Sequence, residues 1–220
     1  MLLEEADFEL IYKDDWEYFL NYDKVNHLFA WKIVFNNNWY DVGKSSAFMT
    51  YYFSRGIPDR PYFLSPGLEG QSVQYFPYFK KEHFILKDAF DYFSDVFFFK
   101  CISSYENLWQ IINIYYSCGL MIKGVSHKKI CERLKVIENP IIADFYMELV
   151  KDDLIEALNM RHSIAHRMPT GAQASGVQKK ENAILVGISE YVDSEKTMAV
   201  AQEFINFSIE AIQRIRDFVK

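Results

Sequence analysis

Along most of this chain apolar residues recur at alternating steps of three and four, the repeat of a helix that buries one face. From Asp15 to about Val34 the repeat runs through Tyr18, Tyr22, Val25, Phe29 and Ile33, with Asp14 or Asp15 placed to cap the helix start. The longest run extends from about Lys87 to Ser117, through Phe90, Phe93, Phe97, Cys101, Tyr105, Leu108, Ile112 and Tyr115. No Pro or Gly interrupts it before Gly119, which supplies a stop. Off-stripe aromatics (Phe98, Phe99, Trp109, Tyr116) predict burial on more than one side. A shorter helix, capped by Ser126, is expected over Lys128 to Lys135. A further long one follows Asn139-Pro140 and runs to about Arg167, where Met168-Pro169 ends it. Met147, Val150, Leu154 and Leu158 form its expected inward line, which Arg161 and Ala165 continue. The last helix starts at Asp193-Ser194 and carries Ala201, Phe204, Ile205, Ser208, Ala211, Ile212, Ile215 and Val219 on one face to the C-terminus.

Two stretches break the pattern. Gly56 to Pro77 holds four prolines and three glycines together with Tyr62, Phe63, Tyr75 and Phe76, which predicts an ordered aromatic loop. Thr170 to Gly176 is small and polar and reads as a mobile loop. The Ala183-Ile184-Leu185-Val186 segment after it fits a short strand or a tucked apolar stretch equally well. Long helices with short connections predict an all-α, antiparallel helical bundle, with a small loop or strand insertion before the last helix. At 220 residues, half of them apolar, the chain is sized for a single domain over residues 1–220 with a large core.

Charge and cysteine usage narrow the function classes. A formal net charge of −6 excludes the global basic footprint of a protein that wraps nucleic acid, while leaving room for a local cationic site. Cys101, Cys118 and Cys131 are odd in number and contain no CxxC pair, so neither a disulfide framework nor a zinc knuckle is expected. The N-terminus turns acidic at Glu4-Glu5, unlike a signal peptide, and no apolar run approaches the roughly 20 residues that span a bilayer. A cytoplasmic protein without membrane contact is expected.

One cluster carries chemistry. Asn159-Met160-Arg161-His162-Ser163-Ile164-Ala165-His166-Arg167 places two of the chain's five histidines and two of its seven arginines within seven residues near a helix end. Arg161-His162-Ser163-Ile164-Ala165-His166 resembles the HEPN signature, in which an Arg is followed by a polar residue and then by a His four to six positions after the Arg. The resemblance is clearest from about Pro140 to Lys220. It implies a helical bundle and a metal-independent endoribonuclease, with Arg161, His162 and His166 as catalytic residues and no cofactor. It also implies a homodimer in which two motifs face one cleft, RNA as substrate with a 2′,3′-cyclic phosphate product, and a nucleotidyltransferase-type antitoxin as a partner in toxin–antitoxin or defence biology.

Elementary chemistry accords with that assignment. Cleavage of RNA without a metal needs a base for the ribose 2′-hydroxyl, an acid for the departing 5′-oxygen and a cation for the phosphorane. Histidine titrates near neutrality and serves either proton role, while the arginine fork matches phosphate oxygens. Arg167 and the Lys128-Lys129 pair, with Lys123, His127, Arg133 and Lys135 nearby in sequence, are the candidate RNA contacts, although a solvated helix face explains the lysine group equally well. Two other readings use the same residues. A helix C-terminus attracts His and Arg through its dipole, which would leave a non-catalytic helical interaction or scaffold protein. His162 and His166, at i and i+4, could instead join His27, His83 or His127 in a metal site, although no companion ligand is spaced to complete one. Gly43-Lys44-Ser45 lacks the preceding glycine of a phosphate-binding loop, since Asn38 stands in that place.

Overall fold

The computed structural model describes residues 22–60, 63–66, 72–138, 140–148, 154–166, 175–180, 183–188 and 191–219. Among these the helical class expected from the sequence holds. Six α-helices carry most of the described residues: α1 (Tyr22–Phe53), α2 (Lys81–Tyr115), α3 (His127–Ile137), α4 (Pro140–Glu148), α5 (Leu154–His166) and α6 (Ser194–Val219). Two antiparallel hairpins complete the set. Strand β1 (Phe63–Pro66) pairs with β2 (Ser72–Tyr75), Phe63 opposite Tyr75, and β3 (Ser175–Lys180) pairs with β4 (Ala183–Ile188), Ser175 opposite Ile188.

The first helix departs most from expectation. It continues nineteen residues past Val34 to Phe53, and its inward face is not the one the N-terminal repeat suggested. Phe29 and Ile33 are exposed, whereas Leu28, Phe35, Trp39, Val42 and Met49 are buried. That buried series steps by seven, four, three and seven, a helical repeat that the polar Asn36-Asn37-Asn38 run conceals. The cap positions Asp14 and Asp15, and Tyr18, lie outside the described residues. The helix ends where Gly56 takes a φ of +86°, a conformation costly for any residue with a Cβ, while its N–H donates to Phe53 O at 3.0 Å.

The segment expected as one helix from Pro140 to Arg167 is described as α4 and α5, with residues 149–153 and Arg167 outside the description. Its inward line is also corrected: Met147 is exposed, and Ala143, Tyr146, Ala157 and Met160 are buried instead. The aromatic loop contains the β1–β2 hairpin, and the Ala183–Val186 segment is strand, within β4. Of the polar loop, Ser175 and Gly176 already belong to β3.

The chain forms two compact units. The first comprises Met1–Gly43, Lys100–Ile155 and Glu203–Lys220. Its core gathers Phe35, Trp39, Ile102, Trp109, Ile112, Leu134, Tyr146 and Phe204. Trp109 meets Tyr105 and Tyr146 edge-on, the favoured arrangement for opposed ring quadrupoles. Each such ring contributes about 1.5–3 kcal/mol by leaving water. The exit from α2 is clamped within this unit. Ser117 and Gly119 have positive φ, Asn113 bonds Leu120 through both its amide oxygen and nitrogen, and Arg133 Nε donates to Cys118 O at 3.0 Å. Ser126 caps α3, as its position in the sequence predicted.

The second unit comprises Lys44–Phe99 and Glu156–Gln202. Met49, Phe90, Phe97 and Phe98 form its apolar centre with Ala157 and Met160. It also buries a polar knot. The Asp59 carboxylate, 1% exposed, accepts from Tyr191 Oη at 2.6 Å and from Ser194 N and Oγ at 2.9 and 2.8 Å. It thereby reinforces the α6 start, where Asp193 already caps Lys196 N at 2.8 Å. Beside the knot, Lys87 Nζ lies 2.6 Å from both Asp91 oxygens and 5.3 Å from the centre of the Tyr191 ring.

Burial raises the Asp91 carboxyl pKa despite the Lys87 attraction, and burial together with the Asp91 charge raises that of Asp95 to about 6. A carboxyl at about 6 in the folded chain and 3.8 unfolded holds more proton when folded between those values. Folding stability from Asp95 is therefore fully present below about pH 4 and is lost as pH rises through about 6. Thermal melts of Asp95→Asn are expected to lose that component of the pH dependence. An unchanged melting profile between pH 4 and 6 would show that Asp95 does not titrate in this way.

Candidate functional site

Helix α5 presents the sequence-predicted catalytic residues. Ala157 and Met160 anchor it in the apolar centre of the second unit, and Glu156 in its first turn pairs with Lys196 Nζ at 2.6 Å. Arg161 follows the buried Met160 and is itself half-buried. Its guanidinium carbon lies 5.9 Å from the centre of the Phe99 ring, within range of a cation–π contact. Phe99 is 44% exposed, while the Arg161 Nε is buried. His162 is exposed. The helix continues through His166, whose side chain lies outside the described residues, as does Arg167.

Helical geometry then fixes how the motif residues relate along the backbone. At about 100° and 1.5 Å per residue, His162 and His166 lie about 40° apart and about 6 Å along the axis. Arg161 and His166 lie about 140° apart on the same cylinder. The two histidine positions share a face, and the arginine position does not share it with His166.

The other expected RNA contacts, Lys128 and Lys129, belong to the first unit. Both are exposed on α3, whose buried side is Ile130, Cys131 and Leu134. Two members of the surrounding basic group have structural partners: Arg133 holds Cys118 O, and Lys135 Nζ lies 3.7 Å from Asp144. His127 packs near Trp109, with 5.9 Å between ring centres, and burial followed by the Lys128 charge lowers its pKa. Among the described residues no three His, Cys, Asp or Glu side chains come together as a metal ion would require. Also among these, no helix is long and apolar enough to cross a membrane.

The sequence pattern did not expose Asp59 and its partners as a unit. Asp59 looks like one acid among prolines and glycines, and it meets Tyr191 and Ser194 only across 132 and 135 residues of chain. The pairing of Arg161 with Phe99 was equally hidden, since Phe99 lies on a different helix.

Comparison with curated proteins and with solved structures gives no match. A family model, Cthe2314-like HEPN, matches residues 31–220. The match covers all of α2 to α6 and the Arg161 to His166 motif, and with that coverage the chain belongs to the HEPN family.

Proposed function

We propose that this protein is a metal-independent endoribonuclease of the HEPN type, acting in the cytoplasm in defence or toxin–antitoxin biology. The observation that carries the reading is the Arg161-His162-x3-His166 motif on a continuous helix inside a HEPN-family chain. In the proposed reaction one imidazole takes the proton of a ribose 2′-hydroxyl, whose oxygen attacks the adjacent phosphorus. A second imidazole, protonated, gives its proton to the departing 5′-oxygen. The products are a 2′,3′-cyclic phosphate and a 5′-hydroxyl, with protons conserved. Arg161 holds the non-bridging oxygens as charge builds on the phosphorane.

The angular separation of Arg161 and His166 on α5 supports a composite site. One helix does not aim both positions at one phosphate, whereas a second copy could complete the set from across a cleft. A homodimer with Arg161 and His166 near the two-fold axis is therefore expected, measured by light scattering at micromolar concentration. A monomer that cleaves RNA at the full rate would exclude the shared cleft. Lys128, Lys129 and Arg167 are proposed as RNA contacts, and a nucleotidyltransferase-type antitoxin is the proposed partner. RNA cleavage that persists in EDTA would support the chemistry, and cleavage abolished by the chelator would overturn its metal independence.

A further inference from the structure

The C-terminal third of α1 and the turn after it carry cations and partly exposed rings together. On α1, Lys44, Phe48, Tyr51 and Tyr52 fall within an arc of about 100° and span about 12 Å, and Arg55 follows in the turn just past the helix end. Lys44 and Arg55 are exposed, Phe48 is 39% exposed and Tyr51 49% exposed. No Asp or Glu occurs from Lys44 to Arg55. A cation thus stands at each end of an aromatic row.

The rings are held in place before any ligand arrives. Phe48 stacks on Phe93 of α2 at 4.5 Å and 19°, and Tyr52 stacks on the same ring at 5.9 Å and 14°. Tyr51 stands edge-on to Tyr52 at 5.2 Å. Arg55 lies over Tyr51, 4.6 Å from the ring centre, and its Nη2 donates to Tyr51 Oη at 2.8 Å. Next to Phe93, Tyr92 is 64% exposed. The α2 side is acidic: Asp88 is exposed, Asp91 is bound to Lys87, and Asp95 is half-buried.

We infer that this surface is a stacking platform for single-stranded RNA, a reading that rests on the proposed ribonuclease function. Bases stack on exposed aromatic rings and on guanidinium planes regardless of sequence, and flanking cations hold the phosphates. The charge asymmetry sets the orientation. Phosphates run along α1 from Lys44 to Arg55 just past its end, and the acids of α2 keep them from the Tyr92 side. Fixed rings also lose little freedom when a base docks. A purely apolar protein partner would have no use for a cation at each end of the row.

The test measures binding of a fluorescein-labelled, mixed-sequence, single-stranded oligoribonucleotide by anisotropy, with His166→Ala as the parent so that the probe stays intact. Tyr51→Ala in that parent is expected to weaken binding about 5- to 100-fold, and Tyr51→Trp to restore it. Arg55→Ala is expected to weaken binding and flatten its salt dependence. Both residues are exposed, and circular dichroism melts verify that each variant folds. Parent-like binding by both variants would overturn the platform while leaving the ribonuclease reading intact if the wild type cleaves RNA. Binding that depends on Tyr51 in a wild type that cleaves no RNA would support the platform and sink the nuclease reading. Unchanged RNA binding with lost self-association in Tyr51→Ala would assign the surface to a second copy and overturn the proposal.

Discussion

His166→Ala is expected to lower RNA cleavage on the order of 10²-fold or more, and Arg161→Ala to do the same for a different reason. Loss of the imidazole removes a proton carrier whose ordinary pKa lies near the working pH. Loss of the guanidinium removes the charge that offsets the phosphorane. Neither change should unfold the protein, because the described burial that anchors α5 comes from Ala157 and Met160. The informative result is lost cleavage at an unchanged melting temperature. Two other outcomes point elsewhere. A wild type without RNA cleavage would leave the helical interaction protein, and a variant as active as wild type would remove His166 from the mechanism. Arg161→Lys is a sharper probe of geometry, because an ammonium keeps the charge but loses the planar fork.

The largest expected stability effect belongs to Asp59→Ala. The change strands Tyr191 Oη, Ser194 N and Ser194 Oγ, all donors to one carboxylate buried beneath the start of α6. Orphaned buried donors and a lost charged acceptor together cost about 3–5 kcal/mol. For a chain of this size that lowers the melting temperature by roughly 10 °C. Asp59→Asn keeps an acceptor oxygen and should lose less. Denaturant melts that rank Asn between wild type and Ala would support this account, and an Ala variant as stable as wild type would show that the three bonds contribute no net stability.

How far the sequence could be read depended on whether each element's own residues determined it. Helices α2 and α6 were legible because their buried positions coincide with the apolar repeat: Phe90, Phe97, Cys101, Leu108 and Ile112 in one, Ala201, Phe204, Ile205, Ala211 and Ile215 in the other. Helix α1 was legible only in part. It is apolar on its exposed side as well, at Phe29, Ile33 and Tyr40, so the repeat pointed to the wrong face. The β1–β2 hairpin escaped because four-residue strands are too short for a period of two to stand out among prolines and glycines. The motif on α5 was visible as spacing alone. Its contact with Phe99 depends on packing between helices, which one-dimensional periodicity does not contain.

The Asp59 knot also sets a timetable for synthesis. Asp59 leaves the ribosome 135 residues ahead of Ser194. At about 5–20 residues per second it waits roughly 7–27 s for the groups it will bind. Through that interval the nascent chain carries an acid destined for burial with nothing yet to receive it, and α6 has no start to reinforce. The second unit can close only after Ser194 has been made, so its completion trails the emergence of Asp59 by the whole of that interval.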